Sequence, residues 1–185
     1  MIFDCDGTIA DTLAVHFQIW LAALQALGAT LPKAWYYERT GLGAAELIQA
    51  FNQNFGTAID QRALEIERQR HFPGLLHHIQ EVQAVAAIAR ANYGKVPMAV
   101  ASNGQRSVVE STIETIKLRS LFNTIVTLDD VAFGKPAPDL FLLAAERMNV
   151  PPYECIVYED SDAGLEAARR AGMRFIDVRI LEKTA

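Results

Sequence analysis

From about residue 80 onward, short apolar runs alternate with helical patterns, and no hairpin turn signal joins one run to the next. This alternation limits the fold more than any other feature of the chain. The runs are "VPMAVAS" (96–102), "TIVT" (124–127), "CIVYED" (155–160) and "RFIDV" (174–178). Between them lie "EVQAVAAIARANYG", a helical stretch over about 105–120, "PDLFLLAAERM" and "DAGLEAARRAG". Antiparallel neighbours need only a tight turn, whereas parallel ones need a crossover, usually a helix. The pattern therefore predicts an α/β fold: a Rossmann-like parallel-sheet core with helices on both faces.

The apolar start "IFDC" belongs with this sheet, although a different pattern separates the two. Leu13, Phe17, Trp20, Leu21, Leu24 and Leu27 recur at helical spacing, and Gly28 is a natural stop. Pro32 suits the first position of a short second helix. Leu47, Ile48, Phe51 and Phe55 share one face of a third helix that ends at Gly56. Asp60 caps a fourth, which Pro73 is expected to kink or break. Residues 13–79 thus read as an all-helical cap inserted after the first strand, and 1–12 with 80–185 as the α/β core.

At 185 residues and 51% apolar, the chain can bury a core of that size. Its net charge of −5 offers no basic footprint for nucleic acid. No apolar run approaches the roughly 20 residues that span a bilayer, and the first residues read as strand and acidic loop rather than as a leader. The expectation is a cytoplasmic, soluble protein without membrane or nucleic-acid partners, monomeric by default. Cys5 and Cys155 fit neither a disulfide framework nor a zinc spacing. The run before Asp4 is shorter than a usual first strand, which leaves room for residues before Met1.

Open parallel sheets bind ligands outside the carboxyl ends of their strands. The first run delivers Asp4 and Asp6 there, the second Ser102 and Asn103, and the fourth Glu159 and Asp160; the loop after "TIVT" carries Lys135. Singly, each suits an ordinary role: Ser102 a turn, Lys135 a solvated charge, Glu159 and Asp160 a helix cap. Jointly they form an oxygen-rich set suited to a hard cation such as Mg2+, which takes carboxylates, water and phosphate oxygens. An aspartate can act as a nucleophile towards phosphorus and a second carboxyl as acid and base. A lysine and a hydroxyl can hold a phosphoryl group as it transfers.

"DCDGT", "VASNG", "GKPAPD" and "VYEDSDAG" resemble, in order, the four motifs of the haloacid dehalogenase superfamily, most closely its β-phosphoglucomutase-like branch of sugar phosphatases and mutases. The resemblance implies an aspartyl-phosphate intermediate on Asp4, with Asp6 as general acid and base. It implies phosphate binding by Ser102 and Lys135, with backbone groups of Gly7 or Asn103 assisting, and Mg2+ held by the Asp4 side chain, the Asp6 backbone carbonyl and Asp160, helped by Glu159. Gly7 and Thr8 would support the first loop. In the helical insertion, His16 resembles a histidine at the start of the family's cap. "TGLGAAEL" resembles its specificity loop, with Gly41 and Gly43 permitting close approach. Ala44 and Ala45 stand where a mutase would be expected to carry an arginine, for which only Arg39 upstream could substitute. That departure favours a phosphatase acting on a small phosphorylated metabolite, a sugar phosphate above all. A phosphosugar mutase and a non-catalytic binding protein of the same fold are the alternatives.

Overall fold

The computed structural model describes residues 1–39 and 42–181. It divides into two compact units, one formed by Met1–Thr12 with Ile79 onward and the other by Leu13–His78. Among the described residues no helix is long and apolar enough to cross a membrane.

The first unit is built on strands β1 (Ile2–Phe3), β4 (Ala99–Ala101), β5 (Thr124–Val126), β6 (Ile156–Glu159) and β7 (Arg174–Asp177). They form one sheet in the order β5-β4-β1-β6-β7, and every pairing is parallel. β1 is central, which explains why both of its residues are apolar and fully buried. Side chains alternate across the sheet. Ile2, Ala99, Ala101, Val126 and Val157 pack with Leu140, Phe141, Ala144, Ala167 and Ala168. Those partners come from helices that follow β5 and β6 in the chain. Phe3 points the other way and stacks on Tyr158, with ring centroids 4.8 Å apart. The crossovers are α5 (Gln83–Asn92), α6 (Arg106–Thr115), α7 (Asp139–Met148) and α8 (Asp162–Arg170). α6 is shorter than its sequence pattern suggests. Lys117 turns left-handed at φ 58°, and the Leu118 N–H bonds back to the Ile113 carbonyl at 3.1 Å, which closes the helix.

Sequence patterning also missed a two-stranded antiparallel ribbon, β2 (Ala10–Asp11) with β3 (Gln80–Glu81). It lies where the chain leaves for the helical unit and where it returns. Two residues per strand are too few to show an alternation.

The helical unit contains α1 (Leu13–Ala26), α2 (Lys33–Tyr37), α3 (Ala44–Phe55) and α4 (Gln61–Leu75), then a single 3-10 turn over Leu76–His78. Pro32 stands just outside α2 rather than at its first position. The unit's core is aromatic, with Phe17, Trp20, Tyr36 and Phe51 packed around Leu24, Leu47 and Leu64. Asp60 caps α4 by accepting the Ala63 N–H at 2.9 Å. Pro73 does not break α4, which runs on to Leu75. It sits in the final turn, where a missing N–H removes one bond just before the helix would stop anyway.

Candidate active site

Each functional candidate of the core sits at the carboxyl end of a strand or in the loop that follows. Asp4 comes directly after β1, and its N–H bonds the Tyr158 carbonyl at 3.0 Å, continuing the ladder. Ser102 follows β4, with its N–H on the Val126 carbonyl. Glu159 ends β6 and Asp160 follows it.

Asp4, Lys135 and Glu159 are all buried, and they are joined through one ammonium group. Lys135 Nζ donates to Asp4 Oδ1 at 2.5 Å and to Glu159 Oε2 at 2.7 Å. The other oxygen of Glu159 accepts the backbone N–H of Asp160, the N–H of Ser161 and the Ser161 hydroxyl. Glu159 is therefore anchored on both oxygens. Its space exists because residue 164 is glycine: a Cβ there would fall on the Glu159 carboxyl. Asp160 is held by the Thr8 hydroxyl, which donates to its Oδ1 at 2.9 Å. Gly7 supports the same carboxyl differently, because its φ of 81° suits glycine and a Cβ would collide with Asp160.

Carboxylate oxygens of Asp4, Glu159 and Asp160 lie within 4.8 Å of one another. The Asp6 side chain is not in that group. Its Oδ2 and the Ser102 Oγ instead flank Gly104, 3.9 and 3.2 Å from where a Cβ would stand. Ser102 Oγ accepts the Gly104 N–H at 2.9 Å. Asn103 does not aim its side chain at the acids; it bonds the backbone of Lys135 at both N–H and carbonyl.

The electrostatics are those of an acid-rich site. Burial, then Glu159, pushes the Asp4 carboxyl well above the usual aspartate range, with Asp160 and Asp6 adding to the effect and Lys135 opposing it. Burial and Glu159 likewise raise Asp160 to about 6. Burial acts to lower Lys135, but Asp4 and Glu159 outweigh it and hold the ammonium charged. A cluster of acids, two of which carry raised pKa values, fits an all-oxygen site for a divalent cation.

The helical unit holds the remaining candidates. His16 is half-buried in the first turn of α1. Arg39 lies over the Trp35 ring at 4.5 Å and donates to the Trp35 carbonyl and to Glu38. Gly43 precedes α3 with an ordinary φ of −64°, and among the described residues a Cβ there would meet Glu46 Oε2 at 3.6 Å, an ordinary contact. Gly41 lies outside the described residues.

Residues 1–178 match the haloacid dehalogenase-like hydrolase family. The chain belongs to that family. It is 35% identical over 181 residues to fructose-1-phosphate phosphatase YqaB of Escherichia coli (strain K12), a match covering 98% of this chain and 96% of that one. It is 28% identical over 173 residues to validoxylamine A 7'-phosphate phosphatase of Streptomyces hygroscopicus subsp. limoneus, covering 93% and 81%. The crystal structure of CbbY from Rhodobacter sphaeroides in complex with phosphate superposes with a TM-score of 0.80 at 28% identity, covering 94% of this chain and 83% of that one. For a haloacid dehalogenase-like hydrolase, the acids, the lysine and the serine occupy one sheet edge, as its four motifs led us to expect.

Three contributors had no clear sequence signal. The first is the Asn103 side chain, which reads only as a residue delivered at the end of the second run. The second is Gly164, an ordinary helix glycine until the fold sets Glu159 against it. The third is Ser161, whose cap bond to the Gly164 N–H and bond to Glu159 both depend on the chain's local turn.

Proposed function

We propose that the protein is a phosphatase that hydrolyses small phosphorylated metabolites, sugar phosphates above all. The observation that carries this reading is the Asp4–Lys135–Glu159 arrangement at the sheet edge, with the Asp160 carboxyl beside it. Asp4 attacks phosphorus, forming an O–P bond as the ester P–O bond breaks. Asp6 gives its proton to the departing oxygen, then takes one from the water that attacks the aspartyl-phosphate. That second attack cleaves the Asp4–phosphorus bond and releases inorganic phosphate. Lys135 and Ser102 hold the phosphoryl oxygens, while Glu159 keeps Lys135 in place. Asp4 and Asp160, with Glu159 nearby, would hold Mg2+, which when bound neutralises the charge that otherwise makes Asp4 a poor neighbour for a phosphate.

The names of the relatives support a phosphorylated sugar or sugar-like substrate. The first turn of α3, with Ala44, Ala45 and Glu46 and no basic side chain, favours hydrolysis over mutase chemistry, which must also grip a second phosphate. The test is phosphate release from a panel of sugar phosphates, fructose 1-phosphate included, with Mg2+ and with a chelator. Metal-dependent release that Asp4→Asn abolishes supports the proposal. Turnover that survives Asp4→Asn overturns the mechanism, and conversion of β-glucose 1-phosphate to glucose 6-phosphate without net phosphate release overturns the phosphatase reading.

A further inference from the structure

Lys135 reaches its partners from an irregular stretch between the turn at Leu128–Asp130 and α7, so something must fix its backbone. The side chain of Asn103 does this at two points. Its Oδ1 accepts the Lys135 N–H at 2.8 Å, and its Nδ2 donates to the Lys135 carbonyl at 3.2 Å. A side-chain amide carries one acceptor and two donors, so it can pair with a peptide as a neighbouring strand would. Glycine at 134 leaves room for this approach: a Cβ there would stand 2.5 Å from Leu128 Cδ2 and 2.6 Å from Asn103 Oδ1. Gly134 also anchors the turn, its carbonyl accepting the Ala137 N–H at 2.9 Å. The other end of the same lysine sits between Asp4 and Glu159.

We infer that Asn103 is a positioning residue: its side-chain amide fixes the backbone of Lys135 and thereby sets where the ammonium meets the transferring phosphoryl group. The inference rests on the phosphoryl-transfer reading of this site. It gives Asn103 a task that contact between its backbone and phosphate would not. A second tie joins the same two loops without touching Lys135: Arg106 donates its N–H to Asp129 and its guanidinium to Asp130. The two ties separate a general role in loop order from a specific role in lysine placement.

Displacing a group that acts in the transition state by about 1 Å can cost on the order of 100-fold in rate. Asn103→Ala is expected to lower kcat for a sugar phosphate by about 10- to 100-fold, with KM moving less than about threefold. Arg106→Ala should cost less than about twofold. In a Lys135→Met background, Asn103→Ala should change the residual turnover by less than about twofold, because the two act as one unit. Losses that multiply independently, or an Arg106→Ala enzyme as impaired as Asn103→Ala, overturn the inference. A second readout does not need turnover: acetylation of Lys135 by acetic anhydride, followed by peptide mass spectrometry. Asn103→Ala should raise the Lys135 labelling rate at least about threefold while Lys95 and Lys117 label as in the wild type; an unchanged Lys135 rate overturns the clamp. A wild-type protein without phosphatase activity would instead overturn the functional reading, and the labelling would still decide the clamp.

Discussion

The two units of this chain bury different chemistry. Among the described residues, every buried polar or charged side chain belongs to the α/β unit: Asp4, Thr8, Thr12, Ser102, Thr112, Thr127, Lys135 and Glu159. The helical unit has no fully buried residue of that kind among those described and closes instead around aromatic rings, with Phe17 and Trp20 both packed against Tyr36. An aromatic core stabilises through area and shape, and asks little of its surroundings. A buried ionic set stabilises weakly at best and depends on each partner being present. The α/β unit therefore concentrates its buried ionic groups where its chemistry lies, whereas the cost in the helical unit comes from isolated N–H groups such as Trp35 Nε1 and Arg68 Nε, buried without a partner.

The sharpest test of that contrast separates turnover from stability at a single position. Asp4→Asn is expected to lower kcat at least about 10³-fold, because the amide cannot serve as the nucleophile. The same change removes one of several crowded carboxyls and leaves Lys135 paired with Glu159, so thermal unfolding should show an unchanged or higher Tm. A clear fall in Tm would mean that Asp4 supports the fold, and the contrast would fail.

Two truncations of similar size should then behave differently. Lys135→Met leaves Asp4 and Glu159 buried without their ammonium, at a cost of about 3–5 kcal/mol in urea unfolding at neutral pH. Phe51→Ala empties a site that is 1% exposed, also at about 3–5 kcal/mol. The first loss should shrink as pH falls towards 4, since protonated carboxyls no longer need a cation. The second should not change over that range, and parallel pH profiles for the two variants would count against the comparison.

Asp160 gives the next effect in size. Its folded pKa of about 6 lies above the value near 3.9 of an unstructured aspartate. Between those values the folded protein holds the proton and the unfolded chain has lost it. Stability from this group is therefore present below about pH 4 and is lost as pH rises through 6, by up to roughly 3 kcal/mol. Mg2+ should reverse the loss where the carboxyl is ionised. Its effect on Tm is expected to be larger at pH 8 than at pH 5, and Asp160→Asn should flatten both trends. A Mg2+ shift of equal size at the two pH values would contradict this account.

How far the sequence could be read divides along the same line. The sheet and its crossovers were legible because strands buried on both faces leave unbroken apolar runs, and the residues just after each run must lie at one edge. That logic placed Asp4, Ser102 and Asp160 together from the sequence alone. It could not show that Lys135 lies between Asp4 and Glu159, since their meeting depends on a loop path that leaves no periodic trace. Asn103 was legible as a residue delivered at the end of the second run, but the destination of its side-chain amide was not. In the helical unit the pattern named Leu47, Ile48 and Phe51 of the buried face of α3 and the cap at Asp60. It also placed on that face Phe55, which is exposed, and α4 continues past Pro73 without breaking. A proline's cost depends on which turn it occupies, and helix ends are the least legible feature of a sequence.

The smallest predicted effect uses the same substitution as the largest. Asp60 is exposed, and its carboxylate accepts one N–H at the start of α4. That task requires only an acceptor oxygen, so Asp60→Asn should leave stability within about 0.5 kcal/mol, while Asp60→Ala loses about 1 kcal/mol. Neither should move kcat by more than about twofold. Aspartate is thus replaceable by its amide where it terminates a helix and irreplaceable where it ends β1, although the two side chains differ in nothing but surroundings. If Asp60→Asn cost as much as Asp60→Ala, the charge itself would be acting on the α4 N-terminus, and the helical unit would share the electrostatic dependence that otherwise sets the α/β unit apart.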